Sequence, residues 1–180
     1  GEQMYMILKA AGAFMILSGG LMAGGKVRKQ HKKVCTVLRK MQEALKFADD
    51  TITIENMLLD DVLKKCAEKF FEDEKGTDIW TKAWENLKTE FGSFENSWVK
   101  ACDEYFEEQP YYDEKQKECI KGIGKALGIA NTQRQSAHVN ANLQNLQELE
   151  KMAIAKYEKE GKNSVRIAAA LSIAVIVLLF

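Results

Sequence analysis

The chain has 180 residues, and its 26 basic and 26 acidic side chains leave no formal net charge. A single proline and little alternation of apolar β-branched residues argue against a β-sheet protein and favour an all-α fold. Setting aside an apolar run at each end leaves roughly 140 residues, enough for one domain with a hydrophobic core.

The two apolar runs carry no charge and cover residues 10–25 and 167–180. Each is shorter than the ~20 residues that cross ~30 Å of hydrocarbon. Lys9 and Arg166 can, however, extend their charged ends to the interface, and Met6 to Leu8 lengthen the first run. We therefore predict transmembrane helices at residues 6–25 and 165–180. The basic residues lie mostly after the first run, whereas a signal peptide has them before it, which indicates a retained anchor.

The zero net charge conceals basic and acidic segments. Residues 26–46 are basic, with eight bases and one acid, and residues 120–166 are also basic, with eight bases and four acids. Residues 47–119 between them are acidic, with nine bases and twenty acids. Both basic segments flank the apolar runs on the side of the central domain, residues 26–164. The positive-inside rule thus predicts a two-pass protein of the cell membrane with a cytoplasmic central domain. Anionic headgroups, and not nucleic acid, are the partner expected for basic segments beside apolar runs.

The first helix of the central domain is predicted over residues 27–48. Val34, Leu38, Met41, Leu45 and Ala48 recur at steps of four and three residues, which is a heptad pattern. The pattern favours a stripe that faces the core of a bundle. A dimeric coiled coil is the alternative interpretation.

Two more helices are predicted between residues 51 and 91. Thr51 or Thr53 is expected to cap the second helix, which Gly76 ends. Thr77 or Asp78 is expected to begin the third. The residues predicted to face the core here are Ile54, Leu58, Val62, Cys66, Phe70, Trp80, Trp84, Leu87 and Phe91.

The last three helices give the domain its predicted fold. Ser93 is expected to cap a fourth helix over residues 94–107, since Gln109-Pro110 breaks the chain. A fifth helix is predicted over residues 112–127 with Gly128 as a left-handed C-cap, and Asn131 is expected to cap a sixth that continues towards the membrane. The inward residues are Cys119, Ile120, Ile123, Leu127, Val139, Leu143, Leu146, Leu149, Ala153 and Tyr157. The fold class predicted is all-α: a six-helix antiparallel bundle flanked by an N-terminal and a C-terminal transmembrane helix.

The sequence contains no motif for catalysis or for cofactor binding. A P-loop, G-x-S-x-G and H-E-x-x-H are all missing. Gly122-Ile123-Gly124 follows a helical pattern and no strand, which argues against a dinucleotide site. We therefore expect no enzymatic activity, no cofactor and no small-molecule substrate.

Metal binding is not expected either. Asp103, Glu104, Glu107 and Glu108 lack the Glu-x-x-His pairs of di-iron bundles, so a solvated acidic face is predicted. No C-x-x-C pair accompanies His31 or His138, so a zinc site is not expected. The four cysteines are expected to be reduced and apolar in a cytoplasmic domain; they are Cys35, Cys66, Cys102 and Cys119.

Small residues in the first apolar run predict close helix packing. Gly20 and Gly24 have the i, i+4 spacing that lets membrane helices approach one another. The second run is rich in alanine and serine, so the partner is either that run or another protein.

Several short motifs occur in an order that resembles a known family. They are Ile7 to Ala13, Leu38-Arg39, Ala44-Leu45, Ala83-Trp84-Glu85, and Gly124-x-x-Leu127-Gly128 before a long helix with Gln135. With the C-terminal apolar run, this order resembles stage III sporulation protein AB, a membrane protein of endospore-forming bacteria. The chain departs from the family at Asn131-Thr132, where Asp-Arg is usual, and at Thr53 to Leu59, which lacks a glycine and a proline.

The resemblance implies a structural component of the complex that connects mother cell and forespore, in the outer forespore membrane. The central domain would be similar to the cytoplasmic domains of type II secretion and type IV pilus platform proteins, which are helical bundles that meet a secretion-type ATPase. Its partners would be that ATPase and other stage III sporulation proteins. Glu104, Glu107 and Glu108 would then dock a partner with a basic patch. The alternative function is a membrane-tethered sensor, signalling or scaffold protein that dimerises through its first helix.

Overall fold

A computed structural model describes residues 2–74, 76–89, 93–129 and 132–179. Within these ranges all regular secondary structure is helical. The chain divides into two compact units, one of residues 1–35 with 152–180 and one of residues 36–151. We call the first the terminal unit and the second the central unit.

Seven α-helices follow one another along the described chain. They are α1 (Glu2–Thr53), α2 (Leu59–Phe70), α3 (Ile79–Thr89), α4 (Phe94–Glu108), α5 (Glu114–Leu127), α6 (Thr132–Lys156) and α7 (Ser164–Leu179). A 3₁₀ turn at Glu72–Glu74 follows α2, and a π-helical turn at Tyr157–Gly161 separates α6 from α7. The first apolar run and the first predicted domain helix are thus one helix.

In the part of the chain that the structure describes, two helical stretches are long and apolar enough to cross a membrane, judged by length and composition. They are Glu2–Thr53 and Arg134–Leu178. Many large apolar side chains of the terminal unit are exposed, as Met22 at 77% and Val177 at 74% illustrate. Such exposure is typical of a surface that contacts lipid.

The heptad stripe of α1 belongs to the core. Leu38, Met41, Leu45 and Ala48 lie in the central unit and are at most 1% exposed within a single chain. The core interpretation therefore explains the pattern, and these side chains offer no surface to a second copy.

Polar contacts show that α1 and α6 are antiparallel in the central unit. Near one end Glu150 accepts hydrogen bonds from Arg39 Nε at 2.9 Å and Gln42 Nε2 at 2.8 Å. Near the other end Asp49 accepts from Gln135 Nε2 at 3.3 Å and from Ser136 at 3.2 Å. The contacts thus move backward along α6 as they move forward along α1.

The middle helices pack in sequence order, α2 on α3, α3 on α4 and α4 on α5. Trp98 of α4 joins three of them, because its ring meets Trp80 of α3 edge to face at 4.8 Å and its Nε1 donates to Ile120 O of α5 at 2.9 Å. Buried aromatic side chains in such T-shaped pairs are strong core contacts.

The predicted caps of the second helix are wrong. Thr51 and Thr53 lie at the end of α1, where their hydroxyls donate at 2.7 Å to carbonyl oxygens four residues earlier. Because α1 continues to Thr53, Ile54 and Leu58 fall in the connection to α2 and are 75% and 73% exposed, not inward.

Two glycine predictions also need correction. Gly128 was expected to be left-handed, but its φ of −79° is right-handed and its N–H continues helical bonding to Gly124 O at 3.1 Å. Gly76 has a φ of +81°, yet it lies beyond the 3₁₀ turn, since α2 already ends at Phe70.

The remaining helix ends follow recognisable signals. Asp78 Oδ1 accepts from Thr81 N at 2.9 Å at the start of α3, and Ser93 accepts from Asn96 N at 3.3 Å at the start of α4, both as predicted. α5 begins two residues later than expected, because Asp113 forms a capping box with Gln116. The predicted positions Phe91 and Asn131 lie outside the described residues.

Candidate interaction site

The acidic cluster of α4 lies on the exposed side of that helix. Asp103, Glu107 and Glu108 are exposed, and Glu104 is half-buried. The other face of the helix is buried in the core and carries Ala101, Cys102, Tyr105 and Phe106. Helical periodicity therefore gathers four carboxylates on one face, and we call Asp103, Glu104, Glu107 and Glu108 the acidic surface.

Lysines from the two neighbouring helices partly neutralise the acidic surface. Lys82 of α3 places its Nζ 3.2 Å from Glu108 Oε1 and 3.9 Å from Glu104 Oε2. Lys121 of α5 lies 2.5 Å from Asp103 Oδ1, and this hydrogen bond raises the pKa of the Lys121 ammonium. Glu107 takes no part in these pairs, so it is the member of the surface most available to a partner.

This arrangement is suited to electrostatic recognition. Within residues 2–74, 76–89, 93–129 and 132–179, no three His, Cys, Asp or Glu side chains are placed to hold a metal ion. The ammonium groups of Lys82 and Lys121 would also repel a cation. What the surface offers a partner is therefore negative charge.

A groove of about 440 Å³ lies between α2 and α3 in the central unit. Its lining residues are Lys64, Ala67, Glu68, Phe71, Glu72, Gly76, Asp78, Thr81 and Trp84. Burial raises the pKa of the Asp78 carboxyl, although its hydrogen bonds from Thr81 act in the opposite direction. The charges lining the groove are of both signs, and the Thr81 hydroxyl donates a hydrogen bond to Asp78 Oδ2 at 2.6 Å.

The cysteines are placed as inert thiols. Cys35, Cys66 and Cys102 are buried and Cys119 is half-buried, and none of the four forms a disulfide bond. Burial raises the pKa of Cys119 to about 11, and it also raises the pKa of the Cys66 and Cys102 thiols. Because the thiolate is the reactive form, these values disfavour nucleophilic or redox reactions.

In the terminal unit, α1 and α7 meet through small residues. A Cβ on Gly24 would lie 2.8 Å from Ser164 O, and one on Gly20 would collide with Ser172 Oγ. Ser164 Oγ also donates a hydrogen bond to Gly24 O at 2.8 Å. The partner of the Gly20–Gly24 pair is therefore the second apolar run of the same chain.

The sequence profile of stage III sporulation protein AB matches residues 9–180. The chain belongs to this family. The match confirms the resemblance and covers nearly the whole chain. No curated protein and no solved structure shows a significant match.

The motifs that resemble stage III sporulation protein AB mostly lie in the core of the central unit. Leu38, Leu45 and Ala83 are fully buried. Gly124 lies directly against Trp98, and Gln135 is the residue that binds Asp49. These motifs therefore mark the fold, and none of them lies on the acidic surface.

The structure adds residues that the sequence did not single out for the acidic surface. Lys82 and Lys121 come from other helices, and neither occurs at a helical spacing from the carboxylates that it pairs with. Only packing of α3 and α5 beside α4 brings them there. A family member with the same α4 sequence and different flanking lysines would present a different charge.

Proposed function

We propose that this member of the stage III sporulation protein AB family is a non-enzymatic, membrane-anchored adaptor in the complex that connects mother cell and forespore. The observation that carries the proposal is the pair of membrane-length apolar helical stretches that bracket one helical unit. Two anchors hold a domain at a bilayer surface, which raises the local concentration of any partner that it binds.

The proposal assigns the central unit to the cytoplasm, on the mother-cell side of the outer forespore membrane. There it acts as a six-helix antiparallel bundle and docks a partner in the manner of secretion-platform domains. A secretion-type ATPase is the partner that we favour, with other stage III sporulation proteins as further members of the assembly. The basic residues beside both apolar stretches support this orientation.

We place the docking site on the acidic surface. Its support is the exposure of Glu107 and the position of Glu104 and Glu108 on the same face of α4. Complementary charge mainly accelerates and orients association. A partner with a basic patch would displace or share the contacts that Lys82 makes.

The test combines substitutions that remove negative charge without placing a new cation beside Lys82. The variant carries Glu104→Gln, Glu107→Lys and Glu108→Gln. Its control, Glu43→Lys with Glu148→Lys, changes the net charge equally at exposed positions of α1 and α6. Affinity of the full chain in nanodiscs for the ATPase is measured at low and high salt. We expect the variant to lose about tenfold in affinity and most of the salt dependence, and the control to keep both.

The same variants can be tested in cells. Deletion of the gene is expected to arrest sporulation after engulfment, as seen by microscopy. The control should restore mature spores and the acidic-surface variant should not. Equal affinities for the two variants would reject the docking site, whereas normal spores after deletion would reject the role in the complex.

The alternative function, dimerisation through the first helix, is not supported by the burial of its stripe. Leu38, Met41 and Leu45 are at most 1% exposed in one chain. A dimer through these residues would require the core to open.

A further inference from the structure

Basic side chains cluster where α1 and α7 meet in the terminal unit. All are exposed, and we call them the basic collar: Lys26, Arg28, Lys29, Lys159, Lys162 and Arg166. They come from segments more than a hundred residues apart in the sequence. Their proximity therefore depends on the contact between the two segments.

Small residues create that contact. Gly24 packs on Ser164, and a Cβ on Gly161 would lie 3.3 Å from His31 Cβ. Residues 24–31 of α1 thus lie alongside residues 161–164, and every collar residue is within a few positions of this contact. Because the contact face is built from small residues, the long basic side chains project from the other faces.

The collar holds more positive charge than its own acids balance. Residues 24–33 contain no acid, and Lys162 Nζ of the collar pairs with Glu158 Oε1 at 2.7 Å. Arg28 lies near enough for its charge to act on the Lys162 ammonium. Like charges brought together in this way are stabilised when an anion binds between or beside them.

The apolar surface beside the collar identifies the anion. Met22 of α1 and Ile167 of α7, which lie next to the contact in the two apolar runs, are exposed at 77% and 56%. The uncharged run of α1 ends at Gly25 and that of α7 begins at Ile167, so the collar lies at the level where hydrocarbon gives way to headgroups. Phosphate groups of anionic lipids occupy that level in a bilayer.

We propose that the basic collar is a binding surface for the headgroups of anionic phospholipids, formed jointly by α1 and α7. The collar uses residues different from those of the acidic surface, so this proposal can be tested independently of the adaptor role. Its consequence is that the lipid composition of the membrane affects how tightly the two terminal helices stay paired.

The test uses the full chain in detergent with equal amounts of phosphatidylglycerol and phosphatidylcholine, and counts bound lipids by native mass spectrometry. The collar variant carries Lys26→Gln, Lys29→Gln, Lys159→Gln and Arg166→Gln. The control carries Lys46→Gln, Lys65→Gln, Lys115→Gln and Lys125→Gln, four exposed lysines of the central unit. Both variants lose four positive charges, so a general effect of net charge appears in both.

We expect the unmodified chain to prefer phosphatidylglycerol, the control to keep that preference, and the collar variant to lose it by about tenfold or more. An equal loss in both variants, or no preference in the unmodified chain, would overturn the proposal. A gel-shift arm adds a short DNA duplex with excess phosphatidylglycerol nanodiscs. Duplex binding that depends on the collar and survives this competition would show that nucleic acid, not lipid, is the partner.

Discussion

Gly124 illustrates how one absent side chain determines the contact between two helices. A Cβ at this position would lie 2.7–2.8 Å from three side-chain atoms of Trp98. Trp98 is fully buried, with its Nε1 bonded to Ile120 O and its ring against Trp80. These contacts keep the Trp98 side chain from moving away, so glycine is required for α5 to approach α4 this closely.

Gly124→Ala is therefore expected to lower the free energy of unfolding by about 1–3 kcal/mol, as overpacked cores do. The matched control is Gly122→Ala in the same helix, where a Cβ would meet only Asn142 Oδ1, at 3.2 Å, the end of a half-exposed side chain. The control should be neutral or more stable, because alanine favours helix by roughly 1 kcal/mol over glycine. Urea unfolding of the full chain in detergent, followed by tryptophan fluorescence, measures both. Equal stability of the two variants would contradict the packing argument.

At the scale of helices, the sequence predicted those elements whose signals are local. Apolar periodicity located α1 to α6, and Asp78, Ser93 and Pro110 marked three ends close to where they occur. The end of α1 was missed because Thr51 and Thr53 satisfy their hydroxyls by bonding to carbonyls of the preceding turn. A threonine can cap the start of one helix or lie in the last turn of another, and the residues that pack nearby determine which of the two occurs.

The contact between α1 and α7 was predicted only as far as its residue types. Gly20 and Gly24 indicated a close approach, but the spacing alone could not distinguish an internal partner from another protein. The neighbouring glycines Gly19 and Gly25 have nothing within 4 Å of a Cβ, so the contact involves one face of the helix. Gly25 therefore serves as a control position for a substitution at Gly24.

Gly24→Leu is expected to push α7 away, since its Cβ would lie 2.8 Å from Ser164 O and Val165 Cα. The hydrogen bond from Ser164 Oγ to Gly24 O would break with it. Gly25→Leu adds the same apolar volume on an open face and should have little effect. Thermal unfolding in detergent should show a lower Tm for Gly24→Leu alone. A similar Tm for both variants would mean that the two helices do not pack through Gly24.

At the scale of the whole chain, the charge distribution carries information that no single helix does. The sequence predicted the four carboxylates of the acidic surface, but not that Lys82 and Lys121 neutralise part of it, because those pairs arise from packing between helices. The division into basic flanks and an acidic middle is, in contrast, readable from the sequence alone. Sidedness in the membrane is the prediction that this division supports.

The last prediction concerns this sidedness. Because basic residues follow the first apolar run and precede the second, both runs should orient with the central unit in the cytoplasm. Alkaline phosphatase, which is active only after export, is therefore expected to be active when fused after Phe180. It should be inactive when inserted after Gly76, an exposed turn residue with a φ of +81°.

A green fluorescent protein at the same two positions serves as the reciprocal control, since it fluoresces when it folds in the cytoplasm. It should fluoresce at Gly76 and stay dark after Phe180. The reverse pattern at both sites would invert the orientation, and cytoplasmic signals at both would mean that the second apolar run does not cross. The reverse pattern would remove the acidic surface from the compartment in which a secretion-type ATPase could reach it, because the adaptor role and the topology require the same orientation.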